Sequence, residues 1–227
     1  MCVLAWGLSC GWSVAVGADA AEGFTLYAPS GAERRLLVVR AQPTGSGVEL
    51  EIVRTVNLGF SGGTITAHAT RPLLYVSGGR GTDGHNAAVV PLDEAGLPQE
   101  PKPVTLDRGY AYLATDRAGR FLLGCDYGSG AVDVYPLDAD GLPGKRVHGR
   151  DEGRKLAHCV LPSPDNRFVY IPYVKETNAL YQYGFDPATG ALAPLDPLDL
   201  GPPAGSGPRH LVYHPRLPLV YFSEEQG

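Results

Sequence analysis

A histidine and an arginine 51 residues apart, His158 and Arg209, are the residues of this chain best placed to do chemistry. An imidazole, ordinarily titrating near neutrality, suits general acid or base work. A guanidinium can hold a carboxylate or phosphate in a planar fork, or stabilise an oxyanion. The pair stands out by its spacing, which equals the offset between Tyr170 and Tyr221, two residues in one register of a repeating strand. The two preceding repeats carry Ala111 and Gly63 at this position. A framework that holds only small residues there gives no packing reason for an imidazole or a guanidinium. The alternative is a buried polar network that only ties repeats together.

The repeat is what must position them. Five stretches read as one strand written five times, marked by Tyr27, Tyr75, Leu123, Tyr170 and Tyr221 at spacings of 48, 48, 47 and 51. A period of this size, with only strand-type segments inside it, predicts an all-β chain built as a β-propeller with four short strands per blade. The unit from Ala157 shows the grammar: strands over residues 157–161, 167–173 and 179–185, then an edge strand near Ala191-Leu192. Equivalent strands recur over 110–115, 120–126 and 131–137, and over 63–68, 71–77 and 87–92, with a degenerate first unit over 24–56. About four to four and a half blades are present, too few to close a ring on their own. The expected domain therefore runs over residues 22–227 as the front part of a longer propeller, with function at the start of the innermost strands.

Composition agrees with a turn-rich β fold, since 30 glycines and 20 prolines punctuate the apolar runs. Clusters at Pro43-Thr44-Gly45-Ser46-Gly47, Asp93-Glu94-Ala95-Gly96, Asp138-Ala139-Asp140-Gly141 and Asp186-Pro187-Ala188-Thr189-Gly190 read as hairpin loops. A net charge of −5 with no basic stripe argues against a nucleic-acid partner. The stretch before Asp19 has no charged residue and leads to Ala18-Asp19-Ala20, an A-x-A-like cleavage site. Residues 1–21 are accordingly read as a signal peptide that does not pack into the propeller, with a periplasmic or secreted protein as the outcome; the alternative is a cytoplasmic one. The segment is too short and too broken by glycine to span a membrane. Cys2 and Cys10 fall in this leader, and Cys125 and Cys159 in strand-like runs, where they read as small buried hydrophobes.

Other candidates carry less. His210 follows Arg209 and is expected on the opposite strand face, as packing or as a supporting substrate contact. His214 is a turn residue, the counterpart of Ser163; His68, His85 and His148 read as solvated. Gly78-Gly79-Arg80-Gly81 lacks a following helix and is not a phosphate loop. No cluster has metal-ligand spacing, so neither metal nor cofactor is expected.

Three segments carry a family resemblance. They are Ala157-His158-Cys159-Val160-Leu161-Pro162-Ser163-Pro164-Asp165-Asn166-Arg167, the run from Gly205 through Gly207-Pro208-Arg209-His210 to His214-Pro215, and Glu225-Gln226-Gly227. Over residues 24–227 the chain resembles the seven-bladed lactonase propellers, which take in propeller-type 6-phosphogluconolactonases and fungal carboxy-muconate lactonizing enzymes. The resemblance implies an axial site of His158, Arg209 and Glu225, with a further arginine from a later blade. It implies a lactonase acting on a sugar-acid lactone, a small-molecule partner; a muconate-type cycloisomerase and a non-catalytic cell-surface binding propeller remain as alternatives.

Overall fold

The computed structural model describes residues 15–19, in backbone only, and 23–227. The chain forms two compact units, one ending at Gly109 and one running from Tyr110 to Gly227.

The first unit holds two antiparallel four-stranded sheets, each in sequence order. One contains β1 (Ala15–Asp19), β2 (Gly23–Ser30), β3 (Arg35–Thr44) and β4 (Gly47–Asn57); the other contains β5 (Ser61–Ala67), β6 (Leu73–Gly79), β7 (Ala87–Pro91) and β8 (Lys102–Val104). Tyr27, Leu36, Val38, Phe60, Leu74 and Val76 meet in one apolar core. The middle strands β6 and β7 are buried almost throughout, so their residues read as continuous apolar runs rather than strict alternation. The leader expected over residues 1–21 lies largely outside the described residues. Within it, Ala15–Asp19 pairs with Gly23–Ser30 from Ala15↔Tyr27 to Asp19↔Gly23. The expectation that residues 1–20 stay apart from the propeller is therefore corrected for this stretch. Its backbone answers donors and acceptors on β2 that would otherwise form a sheet edge.

The second unit repeats the pattern with β9 (Tyr112–Thr115), β10 (Phe121–Cys125), β11 (Val132–Pro136) and β12 (His148–Arg150). A second sheet follows with β13 (Leu161–Pro162), β14 (Phe168–Tyr173), β15 (Ala179–Phe185) and β16 (Leu192–Asp199), and then a pair, β17 (Pro208–Tyr213) and β18 (Val220–Glu224). Leu123, Val134, Ile171, Tyr173, Tyr181 and Phe185 belong to its core.

The sequence register holds in detail. Tyr75 pairs with Thr66, Leu123 with Ala114, Tyr170 with Leu161 and Tyr221 with Val212, each partner nine positions earlier. The connecting turns are capped alike. Asp116 accepts the N–H groups of Arg120 and Phe121, Ser163 those of Arg167 and Phe168, and His214 those of Arg216 and Leu217. His68 does the same for Thr70 and Arg71 and is only 4% exposed, so the expected solvated residue is a buried cap. The edge hairpins follow the expected turn chemistry. Asp93 and Asp138 each accept two loop N–H groups, and Gly96, Gly141 and Gly190 take φ near +80°, where a side chain would be strained.

One departure matters. The strand expected over 157–161 is regular only at Leu161–Pro162. Ala157 bridges Tyr173 while Leu161 faces Tyr170, so four steps on one strand span three on the other. This is a β-bulge, and it falls at His158–Cys159. The same extra residue appears between Pro208↔Glu224 and Leu211↔Phe222, and between Gly62↔Gly78 and Thr64↔Ser77.

Candidate functional site

A bulge leaves its residues outside the ladder and re-aims their side chains. In the second unit the re-aimed residues are His158 and the Arg209-His210 pair. His158 keeps its backbone in place by donating to the Pro172 carbonyl at 3.0 Å; Ala111 makes the matching bond to Cys125 at 2.9 Å. These bonds put Ala111 and His158 at equivalent points of successive sheets.

The side chains converge. Arg209 Nε donates to His158 Nε2 at 3.0 Å and lies 3.1 Å from a Glu225 carboxylate oxygen. Glu225 is placed by its own N–H, which donates to the Gly207 carbonyl at 2.9 Å. Among the described residues, the terminal nitrogens of the Arg209 fork hold no hydrogen bond, which leaves planar donors for a ligand. His158, Arg209 and Glu225, singled out from the sequence, thus lie together at one end of the strands of this unit.

His210 is not on the far side of its strand. Its ring meets His158 edge-on, with centroids 4.8 Å apart, and faces Tyr112 at 6.0 Å. Strict alternation fails there because the bulge covers positions 209 and 210 together.

The electrostatics correct a second expectation. Burial first, then the charges of Arg209, His210 and Lys175, lower the His158 pKa to about 4. His210 is lowered to about 4 by burial and Arg209. Both rings are therefore neutral at pH 7 rather than poised to titrate there. With Nε2 accepting from Arg209, the neutral His158 carries its proton on Nδ1, a buried atom with no partner among the described residues.

Sequence reasoning missed the residues around this core. Tyr127 stacks edge-on against His158 at 5.9 Å, and the Lys175 ammonium lies 5.7 Å from the Tyr127 ring centre. Gln226 accepts the Lys175 backbone N–H at 3.0 Å. The repeat held a usable signal: Tyr127 and Glu225 occupy equivalent positions just after a second strand, and so do Lys175 and Gln226. Antiparallel pairing brings the end of each second strand beside the start of the first.

Cys125 and Cys159 are free, fully buried thiols whose pKa values burial pushes up, to about 12 for Cys159. Among the described residues no group of three His, Cys, Asp or Glu side chains is arranged to hold a metal ion. No helix among them is long and apolar enough to cross a membrane. An open cleft of about 390 Å³ bordered by Ser163, Tyr170, Tyr213 and Leu219 lies at the other end of these strands, where no such histidine–arginine–glutamate convergence occurs.

A family model described as lactonase, 7-bladed beta-propeller, matches residues 31–227. The 6-phosphogluconolactonase of Cronobacter sakazakii is 36% identical over 142 residues, 62% of this chain and 38% of the relative. That of Pectobacterium carotovorum is 35% identical over 135 residues, 59% of this chain and 40% of the relative. The chain thus spans about two fifths of the length of these curated relatives. Among solved structures, the periplasmic gluconolactonase PpgL of Pseudomonas aeruginosa superposes with a TM-score of 0.63 at 24% identity, over 94% of this chain and 61% of that one. At that identity the likeness is one of fold.

Proposed function

The chain belongs to the seven-bladed β-propeller lactonases, and from that premise we propose that its site hydrolyses the ester bond of a sugar-acid lactone. The observation that carries the reading is the Arg209 guanidinium, bridged between His158 and Glu225 with its terminal nitrogens open. The curated relatives named 6-phosphogluconolactonase support the same substrate class.

The chemistry needs an oxyanion partner and a proton carrier. The open fork of Arg209 donates to the lactone carbonyl oxygen as negative charge develops on it. As the guanidinium turns to the substrate, His158 Nε2 loses its donor and its lone pair becomes available. Water attacks the carbonyl carbon while Nε2 takes a proton from it. The tetrahedral intermediate then collapses; the bond from the acyl carbon to the ring oxygen breaks, and His158 returns the proton to that oxygen. The product is the open hydroxy acid. Glu225 holds the charge and direction of Arg209. His210, neutral and packed on His158, is a supporting substrate contact.

The test is lactone hydrolysis by the full-length protein beside His158→Ala and Arg209→Ala. Loss of turnover with the fold intact is the expected result. Unchanged turnover would leave the cluster as a tie between sheets, and absence of hydrolysis by the wild type would favour a binding propeller.

Export is part of the same proposal. The uncharged leader supports it, and a structural relative is described as periplasmic. Cleavage after Ala20 would remove β1, so a mature N-terminus near Glu22, read by mass spectrometry, supports export. Retention of Ala15–Asp19 supports the cytoplasmic alternative.

A further inference from the structure

The proposed catalytic cluster is close to balanced in charge. His158 and His210 are neutral, and Arg209 is paired with Glu225. The cation left over is Lys175. It opens the short 3-10 turn Lys175–Thr177 after β14, is exposed, and among the described residues holds no ion pair.

Its placement is specific. The Lys175 backbone has φ +53°, in the left-handed region that lysine rarely adopts. It is kept there by its N–H bond to Gln226 Oε1 at 3.0 Å. The Gln226 side chain comes from just past the end of β18 and lies over Gly207, where an added Cβ would clash with Gln226 Oε1. Gly207 is thus needed for the clamp that sets Lys175. From this anchor the ammonium reaches the face of Tyr127, whose ring in turn meets His158. The Tyr127 ring thus contacts both the exposed Lys175 ammonium and the imidazole. Hydrogen bonding and charge interaction with Tyr127, then the field of Glu225, hold its pKa above the ordinary lysine value, so it stays charged.

We propose that Lys175 recognises an anionic substituent on the lactone, a carboxylate or a phosphate monoester, and so sets the preference for charged over neutral substrates. This rests on the lactone-hydrolysis reading and assigns a different cation to the anion. Arg209 is committed to Glu225 and to the carbonyl oxygen. A lysine ammonium, a compact charge with three rotatable donors, suits a freely turning terminal anion better than a planar acyl group.

The experiment compares 6-phosphogluconolactone, a glucarolactone and neutral gluconolactone as substrates of the full-length protein and of Lys175→Met, Lys175→Arg and Lys175→Gly. In the Met and Gly variants the ratio of kcat/KM for a charged lactone over the neutral one should fall about tenfold or more, the size of one charge-assisted hydrogen bond, through KM. Lys175→Arg should restore much of it. The charged lactone that shows the effect identifies the substituent. Lys175→Gly serves as the folding control, because glycine accepts the left-handed backbone. An equal loss on all three lactones, or no loss, overturns the proposal. Calorimetric titration with 6-phosphogluconate separates the two readings. If no lactone is hydrolysed but Lys175→Met weakens this binding, the anion site stands and the hydrolase reading falls. If binding is unaltered as well, both fall.

Discussion

The bulge on β5 and the bulges at His158 and Arg209 are one backbone device put to two uses. In the first unit the extra residue is Gly63, with no side chain to aim. In the second unit the residues are an imidazole and a guanidinium, and they meet at 3.0 Å. An added Cβ at Gly63 would find nothing nearer than the Ser77 carbonyl at 4.0 Å. The framework therefore does not require glycine there, contrary to what the small residues at this position suggest in the sequence. A bulge is a mount, and what is mounted on it is decided separately. Directly across the bulge, one position from Ser77 on the partner strand, the situation reverses. A Cβ on Gly78 would lie 1.9 Å from the Ser61 carbonyl. Close backbone approach makes that glycine structural.

The strongest way to break this comparison is at the guanidinium. Arg209→Ala should cost roughly 2–4 kcal/mol of transition-state stabilisation, read as a fall in kcat of about 30- to 1,000-fold. Its melting temperature should stay close to that of the wild type, because Arg209 stands outside the apolar core. A large loss of stability with little loss of rate would make the bulge residue a framework element after all. Gly78→Ala should behave in the opposite sense, destabilising by about 1–3 kcal/mol through overpacking against backbone. Urea denaturation checks it, and a neutral result would remove the distinction between the two glycines.

Acidification sharpens the comparison from the side of charge. His158 and His210 are held neutral down to about pH 4, against an ordinary value of 6.5. Between those values the unfolded chain binds protons that the native chain does not. Their contribution to stability is full above pH 6.5 and is lost as pH falls toward 4. The melting temperature should drop over that window, and less steeply in His158→Gln. On the activity side, kcat/KM should keep its plateau down to about pH 5 and fall near pH 4, as free-enzyme His158 becomes protonated. An acidic limb near 6.5 would show that burial does not hold the ring neutral. The smallest effect is expected at Gly63→Ala, within about 0.5 kcal/mol, as for an unconstrained position; a larger shift in thermal unfolding would show that the first-unit bulge is constrained.

Strand order, hairpin loops and the equivalence of Ala111, His158 and Arg209 were all legible in the sequence. Each depends on local patterns, namely apolar runs, Asp and Gly at loop positions, and a repeat that copies one register. Because a repeat places equal positions at equal points of each sheet, counting 51 residues was enough to pair His158 with Arg209. Glu225 came only through family resemblance, since its counterparts Val174 and Tyr127 share no chemistry with it. Tertiary structure decided the rest. Strand alternation puts His210 on the opposite face, and only the bulge brings it to His158. An imidazole has an ordinary pKa by composition, and only burial beside two cations lowers it to about 4. Lys175 looks like a surface lysine until Gln226, arriving from another sheet, fixes its backbone beside Tyr127. Periodicity along the chain carries register; it carries neither the dielectric around a side chain nor contacts made across sheets, because both arise only when distant segments pack.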